Sequence, residues 1–375
     1  MGRAIRAALV STNSITQGDS VATLWKPLFA EGVHIDFAHR TFRWDSESSK
    51  KAAVHCVIVG FSTVPNDKPK NLYSGEQSYE AKIINAYLVD APAVFIESRK
   101  KPLCKVPEII FGNMPNDDGL LSQYTTEEKD AICAQYPLTN EMFKPFVGAK
   151  EFINGTNRWC LWLKEISAQN IRKVPPVMDA IKKVRELRLK STRTMTQKKA
   201  DTPALFGEIR QPNGNYLIVP RHSSENRRYI PLGYMNKDYI CGDSNFMIPD
   251  ISLYHFGVLT SNVHNAWMRT VCGRIKSDYR YSKDIVYNNF PWPSPTDAQR
   301  KVIEQTAQTI LDARAKFPDS SLADLYDETT MPPELRKAHQ ANDRAVMAAY
   351  GFDTKISEAE CVAKLMDMYQ KLTKK

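Results

Sequence analysis

The side chains of this sequence best suited to chemistry are cationic and hydroxylic, and they cluster. Between Arg172 and Lys199 stand Arg172, Lys173, Lys182, Lys183, Arg185, Arg188, Lys190, Arg193, Lys198 and Lys199, opposed only by Asp179 and Glu186. A solvated helix face normally interleaves both signs, so a run of one sign reads as a phosphate-facing surface. A second cluster crowds Arg221, Ser223, Ser224, Asn226, Arg227 and Arg228 into one loop between two strand candidates. Arginine can pair bidentately with guanine, asparagine with adenine, and serine with phosphate, so this loop could read bases; a solvated hairpin loop would use the same residue types. Lys237 lies on the polar stretch beyond it. The third cluster holds Arg269, Arg274, Lys276, Ser277, Arg280 and Tyr281 within a short span, which suits backbone clamping, although structural ion pairs would account for some of them.

Other chemistries find less support. A cofactor domain for S-adenosyl-methionine or a dinucleotide needs a glycine-rich turn after its first strand, and the sequence has none. Amino-methyltransferases also need an Asn/Asp/Ser-Pro-Pro-aromatic tetrapeptide to hold an extruded base. The look-alikes are Asn289-Phe290-Pro291-Trp292, without the double proline, and Thr330-Met331-Pro332-Pro333-Glu334, without Asn or aromatic; they read as a turn and a helix start. Asn116-Asp117-Asp118 and Glu80-Ala81-Lys82 are too isolated for a metal-dependent nuclease, and His255 and His264 have no nucleophile paired with them in sequence. No catalytic residue and no metal ligand is therefore assigned.

Composition agrees with a binding protein. The 375 residues carry a formal net charge of +9, which favours an acidic partner, and nucleic acid is the commonest one. Seven cysteines are scattered without a close pair, so neither a zinc ribbon nor a disulfide framework is indicated, as suits a reducing cytoplasm. No apolar run is long enough to span a membrane, Met1-Gly2-Arg3 opens no secretory segment, and Arg6 stands where myristoylation wants Ser or Thr. A cytoplasmic location without a membrane partner is expected.

The elements that must position these residues begin abruptly. An apolar strand, Ile5 to Val10, runs into Ser11-Thr12-Asn13-Ser14-Ile15-Thr16-Gln17-Gly18, then a helix from Asp19 to Glu31 with Gly32 after it, then an alternating strand over Val33 to Phe37. Phe37 to Trp44 reads as the turn toward a last, buried strand over Ala52 to Phe61, after the polar loop Asp45 to Lys51. So few strands cannot cover a sheet, and the segment looks like the second half of an α/β domain. A break at Pro65 to Lys70 ends it. Further on, Thr125 with Glu128 has capping-box spacing for a helix to Tyr136, and Val177 to Ser191 reads as a helix. Short strands are expected over Leu217 to Pro220, Arg228 to Pro231 and Ser252 to Leu259. Three helices close the chain: Thr296 to Lys316, Pro333 to Tyr350 and Ser357 to Leu372.

Several long motifs carry a resemblance. Ser11 to Gly18, Phe37-Ala38-His39-Arg40-Thr41-Phe42-Arg43-Trp44, Lys51 to Phe61, Gly148 to Gly155, Tyr254 to Ser261, Arg280 to Pro293, Leu325-Tyr326-Asp327 and Met331 to His339 look like those of MmeI-like DNA methyltransferases. The likeness implies an α+β chain overall: a partial Rossmann-like methyltransferase sheet (1–65), a connector and the start of the target-recognition region (66–157), a mixed α+β target-recognition domain (158–293) and a helical C-terminal segment (294–375). It implies transfer of a methyl group from S-adenosyl-methionine to adenine N6 by the parent protein, which in this family often carries a nuclease. Everything before the fifth methyltransferase strand is lacking, so the cofactor is not expected to bind this chain alone. The expected partners are double-stranded DNA and the missing N-terminal half, or a separate methyltransferase polypeptide if the chain is a stand-alone specificity subunit. Phe42 or Trp44 would help hold an extruded adenine, or simply pack the sheet edge. The DNA-facing candidates are Lys182, Lys183, Arg185, Arg221, Ser223, Ser224, Arg227, Arg228, Lys237, Arg274, Lys276, Ser277, Arg280 and Tyr281.

Overall fold

Alternation and β-branched residues at the start of the chain do form strands. A computed structural model describes residues 5–44, 54–64 and 68–374; the expected loop at 45–51, the strand start at Ala52-Ala53 and Pro65-Asn66-Asp67 lie outside the described residues. Strands β1 (Arg6–Thr12), β2 (His34–Trp44), β3 (Val54–Ser62), β4 (Lys70–Ser74) and β5 (Gln77–Ala81), with helix α1 (Asp19–Ala30) after β1, make one sheet of order β1-β3-β2-β4-β5. The β2–β4 pair is parallel and the others antiparallel. The sheet thus runs past the expected boundary at residue 65. Phe37 to Trp44 is not a turn but the second half of β2, because register shifts between Ile35 and Phe37 and between His39 and Phe42 interrupt the alternation without ending the strand. At the sheet edge, β1 leaves Leu9 and Val10 59% and 55% exposed.

The middle of the chain is a set of small sheets with helices between them. Its elements are β6 (Ile110–Phe111), α2 (Thr126–Gln135), β7 (Phe143–Val147), α3 (Ala149–Asn154), β8 (Trp159–Leu161), α4 (Ala168–Arg172), α5 (Pro175–Leu189), α6 (Thr194–Lys198), β9 (Tyr216–Pro220), β10 (His222–Ser223), β11 (Gly233–Met235), β12 (Ile240–Cys241), β13 (Asn245–Pro249), α7 (Leu253–Thr260), α8 (Asn262–Val271), β14 (Gly273–Ile275) and β15 (Asp278–Arg280). They form sheets β11-β9-β13-β6, β12-β7-β8 and β10-β15-β14. Thr125 and Glu128 close the capping box read from sequence. Two strand expectations fail. Ser252 to Leu259 is helix α7, which is buried on nearly every side and so shows no amphipathic period. Arg228 to Pro231 makes no ladder: the Ile230 N–H donates to Asn265 Oδ1 at 3.0 Å, and the Tyr229 hydroxyl to Asp343 at 2.6 Å.

Helices α9 (Asp297–Ala315), α10 (Leu322–Leu325), α11 (Pro333–Tyr350) and α12 (Glu358–Thr373) finish the chain. Pro333 opens α11, where its missing N–H costs nothing, and Gly351 (φ 68°) closes it. One apolar core runs from Val21 and Trp25 through Leu217, Phe246 and Trp267 to Leu365 and Met366. The early sheet, the middle region and the last helices therefore hold one another in place. A second core gathers Phe146, Cys160, Val177, Val184 and Ile240 around α5.

Candidate nucleic-acid interface

A concavity of about 700 Å³ opens where the first sheet meets the hairpin β14–β15. From the sheet side come Asn13, Ser14, Gln17, Gly18, Asp19, Ser20 and His55; from the other wall come Arg221, Arg274, Lys276, Arg280 and Lys283. The walls meet at two glycines. Gly18 (φ 56°) donates its N–H to the Val271 carbonyl at 3.2 Å, and a Cβ on Gly18 would come within 3.3 Å of the Gly273 backbone. Its positive φ and this close approach both favour glycine.

Charge in the cleft is positive. Among its lining residues, the carboxylates Asp19 and Asp284 face the five cations just named, and Asp284 already pairs with Lys283 at 2.6 Å. Arg221 lies half-buried over the rings of Phe111 (5.2 Å) and Phe246 (5.6 Å) and donates to the Asp243 carbonyl at 2.7 Å. Burial depresses its pKa, yet guanidinium stays charged at any physiological pH. Arg274 stacks on Tyr279 at 4.3 Å, donates to the Ser277 carbonyl at 2.9 Å and lies 3.7 Å from Glu225. Burial first, and then the Arg221 and Arg280 charges, lower the pKa of His222. Lys276 and Arg280 are exposed.

The structure brings together Arg221, Arg274, Lys276, Arg280 and Tyr281 of the residues singled out from sequence, and sets others apart. Tyr281 is 3% exposed and its hydroxyl shares a 3.0 Å hydrogen bond with His264 Nε2, so it braces the wall and is not free to bind phosphate. Ser223, opposite Tyr279 in the β10–β15 ladder, is 4% exposed, and its buried hydroxyl has no hydrogen-bond partner among the described residues. Ser277 gives its carbonyl to Arg274, and Ser224 Oγ accepts from the Asn226 N–H. Arg227 and Arg228 line a different hollow beside Glu225, Glu328 and Glu358. Lys237 is exposed outside the cleft, as are Lys182, Lys183 and Arg185 on the solvent face of α5, where Lys183 pairs with Asp179 at 2.7 Å. Arg188 is a correction within that basic run: it is fully buried and donates to five carbonyls, those of Pro115, Asn116, Lys199, Thr202 and Leu205. Phe42 and Trp44 sit 6.2 Å apart near the end of β2, and Trp44 is opposite Val54, which lines the cleft.

Residues set aside as non-catalytic are structurally occupied. The Asp117 carboxylate accepts from the N–H groups of Gly119 and Leu121 and from the Ser122 hydroxyl. Asn289 is fully buried and holds the Glu97 and Asp284 carbonyls. Among the described residues no group of three or more metal-ligating side chains exists, and no helix is long and apolar enough to cross a membrane. Sequence reasoning missed Asn13, Gln17, His55 and Lys283 as cleft residues. No local signal marks them, since the opposite wall is supplied by segments remote in sequence.

Comparison with known proteins fits this geometry. The model of the MmeI target recognition domain matches residues 90–294, more than half of the chain. The chain belongs to the MmeI family. Models of the MmeI DNA-methyltransferase domain and C-terminal domain match residues 1–74 and 295–375, so part of a methyltransferase domain, β4 included, is present here. DNA methyltransferase A of Bacillus subtilis (strain 168) is 40% identical over 370 residues, which is 99% of this chain and 42% of that protein. The solved type IIL restriction-modification enzyme MmeI, in complex with DNA, is 46% identical with a TM-score of 0.92 over 99% of this chain and 50% of its own. The chain thus spans half or less of the length of these relatives.

Proposed function

We propose that this chain is the sequence-specific duplex-recognition portion of an adenine-N6 DNA methyltransferase or restriction-modification enzyme. The basic cleft between the methyltransferase sheet and the recognition region carries this reading. Arg274, Lys276 and Arg280 meet backbone phosphates there, Arg221 braces the floor, and Lys182, Lys183 and Arg185 on α5 supply further phosphate contacts. Phe42 and Trp44, close to the same cleft, flank the target adenine once it leaves the stack. The relative in complex with DNA, at 46% identity, supports the partner class.

The S-adenosyl-methionine site and the catalytic tetrapeptide belong to the rest of the parent protein. The residues present do not fit the cofactor: Gly18, the one glycine between β1 and α1, spends its N–H on the Val271 carbonyl at 3.2 Å, and no glycine-rich turn accompanies it. The apolar edge strand β1 suits the addition of methyltransferase strands, from the same polypeptide or from a separate one that uses this chain as its specificity subunit.

Fluorescence anisotropy with duplex DNA tests the reading. Six phosphate contacts give a log K against log salt slope of about −5.4, and Arg280→Ala makes it shallower by about 0.9. Affinity indifferent to salt, or calorimetric binding of S-adenosyl-methionine to this chain, overturns it.

A further inference from the structure

The hairpin β14–β15 ends in a two-residue turn, Lys276-Ser277, with Ile275 opposite Asp278. Lys276 has φ 57°, and of the two central residues it alone lies in the left-handed region. That is the position which type II′ hairpin turns give to glycine; a side chain there is strained. Ile275, next to it, is 49% exposed. A strained cation beside an exposed branched apolar side chain is a poor choice for a solvated turn, where Gly and a polar residue would cost less. Strain of this kind persists where the surroundings enforce it, most often at functional sites.

The surroundings here are firm. Arg274 bonds the Ser277 carbonyl across the turn at 2.9 Å and stacks on Tyr279. Strand β10 pairs along the other side of β15, through His222↔Arg280 and Ser223↔Tyr279. At the base, Gly273 packs on Gly18 of the methyltransferase segment. The tip is thus a stiff finger beside the cleft, with Lys276 and Arg280 among the cleft's lining cations.

We propose that this tip is a wedge that enters a groove of bound duplex DNA, with Ile275 inserted against a base step and Lys276 on the adjoining phosphate. Apolar wedges of this size unstack a step and open the duplex, and a flanking cation offsets the phosphate charge brought close by the bend. The inference rests on the DNA reading of the cleft and adds the element that distorts the duplex beside Phe42 and Trp44.

Anisotropy titrations of the full chain with an intact duplex and with the same duplex carrying one abasic site test it. Wild type binds the abasic duplex about tenfold more tightly, since the step is already unstacked. Ile275→Ala removes that preference and leaves the salt slope unchanged. Lys276→Gly raises the thermal midpoint by relieving strain, yet weakens binding to both duplexes and reduces the slope by about 0.9. Equal affinity of wild type for the two duplexes, or an unchanged preference in Ile275→Ala, overturns the wedge while duplex binding itself stands. Failure of wild type to bind either duplex overturns the DNA reading of the cleft and the wedge with it.

Discussion

Arg188→Met separates structural from DNA-facing cations in the basic run 172–199. The wild-type guanidinium is fully buried, and it donates to five carbonyls at 2.8–3.1 Å, joining residues 115–116 to the segment after α5. Methionine fills similar volume but donates nothing. Each buried carbonyl left without a donor costs about 1–3 kcal/mol, while loss of a desolvated charge returns several kcal/mol. The two do not cancel, because the acceptors stay behind; a net loss of about 3–5 kcal/mol is expected, as when one partner of a buried charge network is removed. Urea unfolding followed by tryptophan fluorescence reads this directly, since Trp159 and Trp162 pack against the same core as α5. The salt slope for duplex binding, measured on the folded fraction, is expected to match wild type. Lys182→Ala, six positions before Arg188 on the same helix and exposed, is expected to do the opposite: stability within about 0.5 kcal/mol of wild type and a slope shallower by about 0.9. Wild-type stability in Arg188→Met together with a shallower slope would refute the reasoning.

Other outcomes follow from the same geometry. Tyr281→Phe leaves His264 Nε2 without its partner and is expected to lower stability by about 1 kcal/mol with no change in the salt slope, measured by urea unfolding and anisotropy. Burial raises the Asp343 carboxyl to about 6, against the Tyr229 and Asn262 hydrogen bonds that pull it down. The folded state therefore takes up this proton more readily than the unfolded one. The ionised form costs up to about 3 kcal/mol above pH 6, and the cost fades as pH falls toward 4. Unfolding of wild type and Asp343→Asn across that range should show wild type gaining on the variant as pH drops; a constant difference would count against it. Leu9→Lys, on the exposed edge strand, is expected to leave this chain's stability unchanged and to impair its co-purification with a polypeptide carrying the remaining methyltransferase strands.

Much of the local structure was legible in the sequence because its causes are local. The Thr125–Glu128 capping box, Pro333 at the head of α11 and Gly351 at its end need only neighbouring residues to act. Long amphipathic helices were legible for the same reason, since the period of α9 or α12 is set by which face is buried. The misreadings fall where tertiary contacts replace the local rule. Helix α7 is enclosed on nearly every side, so no period remains, and Arg228 to Pro231 takes its hydrogen bonds from Asn265 and Asp343 instead of from a neighbouring strand.

The sequence by itself determined the cationic inventory, the long C-terminal helices and the motifs shared with the MmeI family. Only the tertiary structure decided which cations face a cleft. Arg188 and Arg280 look alike in the chain, but one is enclosed by five carbonyls and the other stands on an exposed strand at the meeting of residues 12–20 with 273–285. A charge's role is set by its dielectric surroundings and its hydrogen-bond partners, and both are supplied here by segments remote in sequence.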